Sequence, residues 1–183
     1  MQRIPRDRTV PLRRRYLVRE PVASVDLGET FLVETRNFRT PVVRAAEEAN
    51  PVAYSEREEI GPIYVRGIAP GDVLAIELLD IAPVGHASGR GLEGRAYHPG
   101  GGELLPIREG RVWFPGGLST PVHMMIGDIY VTPADWPGGN PWDNGGNMDF
   151  KDVASGHTLL LKAILPGGLL VLGDVHAAQG DGE

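Results

Sequence analysis

Two short stretches of this chain concentrate side chains that can hold cations or move protons. The first is Gly173-Asp174-Val175-His176-Ala177-Ala178-Gln179-Gly180-Asp181-Gly182-Glu183. Acids, a histidine and a glutamine crowd there among small residues, a density that folding alone seldom needs. Asp174 and His176 are two apart, so on a strand both point to one side. A carboxylate with a neutral imidazole is a hard-to-borderline metal pair, to which Glu183 or Asp149 could add an oxygen. The same groups also suit proton transfer, with His176 a base oriented by Asp174, or with Glu183 as the base. The second stretch is Asn144-Gly145-Gly146-Asn147-Met148-Asp149-Phe150-Lys151-Asp152. Its paired glycines let backbone approach a ligand closely. Extended backbone would set Asn147, Asp149 and Lys151 on one face, an amide, a carboxylate and an ammonium together. A solvated turn is the plainer reading of such a string; a second cluster of the same kind favours a site.

The remaining histidines carry less. His86 and His98 flank a Gly-rich stretch and read as exposed loop residues or pocket lining, His123 precedes two methionines and could reach a site or merely fill space, and His157 reads as a turn residue. Gly-Asp-Gly near the end resembles a fragment of a calcium loop, but the EF-hand spacing of acids is absent. There is no P-loop, no G-x-G-x-x-G and no G-x-S-x-G.

Composition excludes several classes. With no cysteine there is no thiol nucleophile, no disulfide framework and no thiolate zinc site. A net charge of −6 argues against nucleic acid as a partner, although six arginines gather between Arg3 and Arg15, read as a solvated edge or a subunit contact. No apolar run approaches the roughly 20 residues of a membrane span. The Arg-rich start lacks the apolar core of a signal peptide. The expectation is a cytoplasmic protein without nucleic-acid or membrane partners.

The elements that must position the two clusters are strands. The 183 residues include 25 Gly and 16 Pro, which favours many short strands over long helices. Strands are expected at residues 15–20, 30–36, 61–67, 72–81, 111–114 and 124–132. Residues 42–49 are the one helix candidate, ended by Asn50-Pro51. Residues 72–81 alternate with apolar side chains on both faces, as inside a sandwich. Residues 87–95 read as a mobile loop, and 134–146 as a long surface loop carrying Trp136 and Trp142. Residues 158–165 and 169–172, joined by Pro166-Gly167-Gly168, read as a hairpin. The whole is expected to be one domain over residues 1–183. Its class is mainly β, a jelly-roll-like β-sandwich with long Gly/Pro-rich loops and little helix.

Several segments together resemble the acetamidase/formamidase family: Gly61-Pro62-Ile63-Tyr64-Val65 with Pro70-Gly71-Asp72, Met125-Ile126-Gly127, Gly145-Gly146-Asn147-Met148-Asp149 with Lys151-Asp152, and Gly173-Asp174 with His176 through Glu183. The last two are the most specific, and the likeness runs from about Asn50 onward. The resemblance implies a β-rich sandwich and hydrolysis of short aliphatic amides, such as formamide or acetamide, to acid and ammonia. It places Asn147, Asp149, Asp174, His176 and Glu183 at the site. Within that frame Asp149, Asp174 and His176 are expected to hold a divalent metal, zinc first, with calcium or another ion as alternatives. Glu183 is expected to be the general base, and Asn147 or Lys151 to support the oxyanion. Gly146, Gln179 and Trp142 are expected to contact substrate. Family members continue past Gly-Asp-Gly-Glu with further strands. The resemblance therefore implies that this chain corresponds to their N-terminal and central part. It also implies a homo-oligomer, or a partner chain supplying C-terminal strands. The competing expectation is an incomplete, inactive chain that acts as a binding or structural subunit.

Overall fold

Short strands broken by glycine and proline build the chain, as its composition requires. The computed structural model describes residues 1–11, 16–35, 58–83, 85–90, 102–134 and 141–181. Among these, the strands are β1 (Gln2–Ile4), β2 (Thr9–Pro11), β3 (Ala23–Asp26), β4 (Phe31–Val33), β5 (Glu58–Arg66), β6 (Val73–Glu77) and β7 (His86–Arg90). They continue with β8 (Gly102–Arg108), β9 (Arg111–Trp113), β10 (Ser119–Pro121), β11 (Met125–Val131), β12 (Gly145–Asn147), β13 (Thr158–Lys162) and β14 (Leu170–His176). A single 3-10 turn, Pro115–Gly117, is the one helical piece among the described residues. None of these residues forms a helix long and apolar enough to cross a membrane. The class is the expected mainly-β sandwich.

The principal sheet runs β12-β11-β14-β5-β2, with β3 pairing β5 in parallel. Strand β11 lies inside it, and all seven of its residues are buried. Being covered on both faces, it reads as a nearly unbroken apolar run rather than an alternation. Ile60, Ile63, Ile129, Val131, Leu170 and Leu172 meet Leu74 and Leu161, which come from the antiparallel pair β6–β13. That contact is the core. Tyr16, Tyr130 and Val171 form a second, smaller cluster, with the two tyrosine rings 4.5 Å apart. The Tyr130 hydroxyl donates to the fully buried Glu59 at 3.1 Å. Strands β7 to β10 make a separate antiparallel sheet, and β1 and β4 a parallel pair.

Four local expectations fail, each for a tertiary reason. Residues 16–20 are not a strand: Tyr16 takes a left-handed φ of 65° and lays its ring on Tyr130. Strand β6 is covered on one face only, with Leu74 buried and Val73 60 % exposed. Residues 86–90 are strand β7, paired with β8, where a loop was expected from 87 onward. The 158–172 hairpin does not form, because β13 pairs with β6 while β14 pairs with β11 and β5. Three successive left-handed residues, Gly167, Gly168 and Leu169, carry the chain from one layer to the other. A side chain on Gly167 would strike the Tyr64 ring. The helix expected at residues 42–49 lies outside the described residues.

Candidate metal centre

The site begins where β11 meets β14. Their antiparallel register pairs Met125 with His176, Ile126 with Val175 and Asp128 with Gly173, which sets Gly127 opposite Asp174. Asp174 there adopts a left-handed φ of 51°, a conformation that aspartate tolerates better than most residues. On the other side of β11, strand β12 pairs Asn147 with Asp128. The chain then folds over the end of β11, so that the amides of Met148 and Asp149 both donate to the Gly127 carbonyl, at 2.9 and 3.1 Å. Asp149 is also left-handed, with φ 44°. The two-residue spacing thus brings the expected groups together, but for Asp149 through a turn rather than through extended strand.

Donor atoms of Asp149, Asp174 and His176 all lie within 4.8 Å of one another. His176 Nε2 stands 3.4 Å from Asp174 Oδ1 and 3.6 Å from Asp149 Oδ1. The three side chains are largely buried, Asp149 most of all. Two hydrogen bonds orient them from behind. Asn147 Nδ2 donates to Asp149 Oδ2 at 2.6 Å, and His176 Nδ1 meets Gln179 Oε1 at 2.8 Å. Gln179 Nε2 also donates to the Asp149 carbonyl at 2.9 Å. The Asp174 carboxylate is the chief reason that the imidazole pKa rises to about 9; burial opposes it, while Gln179 and the Asp149 charge add to it. The pocket therefore attracts positive charge.

A divalent cation fits this donor set. Ligands about 2.0–2.1 Å from a tetrahedral ion stand roughly 3.3–3.4 Å apart, close to the two distances from His176 to the carboxylates, while the set as a whole falls within 4.8 Å. Gly127 provides the room. A Cβ at that position would lie 2.6 Å from Asp149 Oδ1, 2.9 Å from the Asp174 carbonyl oxygen and 3.1 Å from His176 Nε2. Only a residue without a side chain leaves the space among the three donors open.

The other expected site residues fall in several places. Lys151 is on the same loop, and its ammonium pairs with the exposed Asp181 carboxylate. That pairing raises the lysine pKa and lowers that of the aspartate. Gly146 is buried in β12, close to Pro141 and the Tyr16 hydroxyl. Trp142 begins the turn into β12 and is 65 % exposed. Trp136 and Glu183 lie outside the described residues. Sequence reasoning missed one participant and left another, His123, open. Gly127 appeared in a matching segment, yet nothing marked it as the floor of the site. His123 links both halves: its amide donates to the Ala177 carbonyl, and its ring Nε2 donates to the Lys151 carbonyl, both at 2.9 Å.

Comparison with known proteins finds one family. The sequence model described as the Acetamidase/Formamidase family matches residues 138–183, which include all three donors. A crystal structure of an acetamidase from Bacillus halodurans is 32 % identical with a TM-score of 0.77, covering 97 % of this chain and 63 % of that one. The structure of a predicted acetamidase/formamidase from Thermoanaerobacter tengcongensis is 29 % identical with a TM-score of 0.78, covering 99 % and 62 %. An acetamidase of Mycolicibacterium smegmatis is 26 % identical over 97 % of this chain and 62 % of its own length. The chain thus spans somewhat over half the length of the relatives it matches. In its sandwich, its ordered motifs and these likenesses, the chain is similar to members of the acetamidase/formamidase family.

Proposed function

We propose that the chain takes part in hydrolysing the C–N bond of short linear amides, such as formamide or acetamide, to carboxylate and ammonia. The carrying observation is the convergence of Asp149, Asp174 and His176 around the space that Gly127 leaves. In this reading those three residues hold a divalent ion, zinc in the first instance. When bound, such an ion polarises a carbonyl and makes water more acidic, which an unactivated amide requires.

The chain's own groups supply the rest. Asn147 fixes Asp149 with one N–H, and an amide carries a second donor. That second N–H is assigned to the developing oxyanion. Lys151 is the runner-up for this role, because its ammonium is held on Asp181. Glu183, two residues beyond Asp181, is assigned to take the proton from water and return it to departing ammonia. Gly146 and Trp142 are assigned to the substrate's side of the site. A confined pocket there would favour short amides, each methylene discriminating by about 1–3 kcal/mol.

The test is ammonia release from formamide and acetamide by the purified chain, before and after EDTA and then with zinc restored. Loss of activity to the chelator and its return with zinc is the expected result. Activity indifferent to EDTA overturns the metal assignment. Absence of turnover with any metal overturns the amidase reading.

A further inference from the structure

Gln179 was expected among the substrate contacts, yet both ends of its amide are engaged inside the site. The Asp149 carbonyl can only accept a hydrogen bond, so the amide nitrogen of Gln179 must face it, at 2.9 Å. That fixes the orientation of the amide. Its Oε1 then faces His176 Nδ1 at 2.8 Å, and since Oε1 can only accept, Nδ1 must carry a proton. In the neutral ring the lone pair is therefore on Nε2, the nitrogen that faces Asp174 and Asp149 at 3.4 and 3.6 Å. One side chain thus selects the imidazole tautomer and ties down the backbone of a carboxylate donor held in a left-handed conformation. Metal-binding histidines characteristically donate their other N–H to an acceptor that sets ring orientation; here a glutamine fills that place.

From this geometry we infer that Gln179 is a positioning residue that holds His176 and Asp149 in their cation-binding arrangement, an assignment resting on the metal-centre reading above. Two variants separate its two bonds. Gln179→Leu removes both. Gln179→Glu keeps an acceptor for His176 Nδ1 but cannot donate to the Asp149 carbonyl when ionised.

Three readouts on the full chain decide the matter: zinc affinity by competition with a chelating dye, the tautomer of the His176 ring, and kcat against KM. The tautomer is read from long-range proton–nitrogen NMR correlations of the zinc-loaded chain, in which a coordinating ring carries a single proton. Gln179→Leu is expected to weaken zinc about 10- to 100-fold, to shift the ring away from the Nδ1–H form, and to lower kcat with little change in KM. Gln179→Glu is expected to keep the Nδ1–H form and to weaken zinc less. Zinc affinity within twofold of the unmodified chain and an unchanged ring in Gln179→Leu overturn the assignment. So does a raised KM with zinc affinity unchanged, the pattern of a direct substrate contact. Should the unmodified chain release no ammonia, the amidase reading fails while zinc affinity still reports on Gln179. Should it bind no zinc, the metal reading fails and the assignment with it, whatever the ring shows.

Discussion

At the scale of single residues, the site is two carboxylates and an imidazole forced close together. Both carboxylates sit in left-handed backbone, a conformation that costs something at any residue but glycine. This decides how they should be probed. Asparagine tolerates that conformation and keeps the shape while removing the charge, so Asp149→Asn and Asp174→Asn test the chemistry without adding strain. Each is expected to lower amide turnover by about 100-fold or more while the circular dichroism spectrum stays that of the parent. His176→Ala is expected to do the same, and retained turnover would remove His176 from the centre. The raised imidazole pKa makes a separate claim about stability. In the metal-free chain the ring's pKa is about 9 folded, against 6.5 for an unperturbed histidine. The folded state binds the proton more tightly, so the contribution is fully present below pH 6.5 and is lost as pH rises through 9. Thermal melts of the EDTA-treated chain should show the midpoint falling across that window. Asp174→Asn should flatten the dependence, because Asp174 is the main cause of the shift.

At the scale of elements, β11 and β14 were legible because covered strands leave long apolar runs, Met125–Val131 and Leu170–Leu172. Turns were legible where side chains close them locally. Asp72 returns a carboxylate to the Ala69 amide, and Glu29 does the same for Asp26. Partner choice was not legible. Residues 158–165 and 169–172 look like hairpin arms, but register depends on which sheet receives each strand, and no local signal carries that. The left-handed conformations of Asp149 and Asp174 were equally hidden, since aspartate tolerates such a bend without requiring it. The spacing of two set Asp174 near His176, but Asp149 joins them through a turn that spacing did not foresee. The difference between the faces of β6 and the middle of β11 can be measured. Ile129→Ala, at a fully buried position, should cost about 2–5 kcal/mol in denaturant unfolding. Val73→Ala, on the exposed face, should change stability by less than about 0.5 kcal/mol.

At the scale of the whole molecule, the site staples together parts of the chain that separate on unfolding. Asp149 comes from the loop after β12, Asp174 and His176 from β14, and both meet at β11. A cation bound by all three can bind only the folded chain, so it must stabilise it. At a hundredfold excess over its dissociation constant, zinc should add about 2.7 kcal/mol. For a chain of this size that is a rise of roughly 5–10 °C in Tm. Differential scanning calorimetry with and without zinc measures this directly, and a Tm indifferent to zinc would count against a preformed centre. His123 joins the same two segments through its amide and ring, so part of the link is present before any ion arrives.

Gly127 and Gly156 are alike in the sequence, yet they should tolerate change in opposite ways. Gly156 has a left-handed φ of 83° with nothing within 4 Å of where a Cβ would stand. Asparagine or aspartate there should pass a selection for function. Gly127 is not left-handed, so no backbone strain of that kind bars a side chain, but its surroundings accept no added atom. Alanine, the mildest replacement, would already set a methyl group among the three donors. In a library saturated at both codons, survivors at 156 should form a short alphabet of turn-forming residues. At 127 the alphabet should have one letter, and the excluded variants should still be folded, recoverable protein.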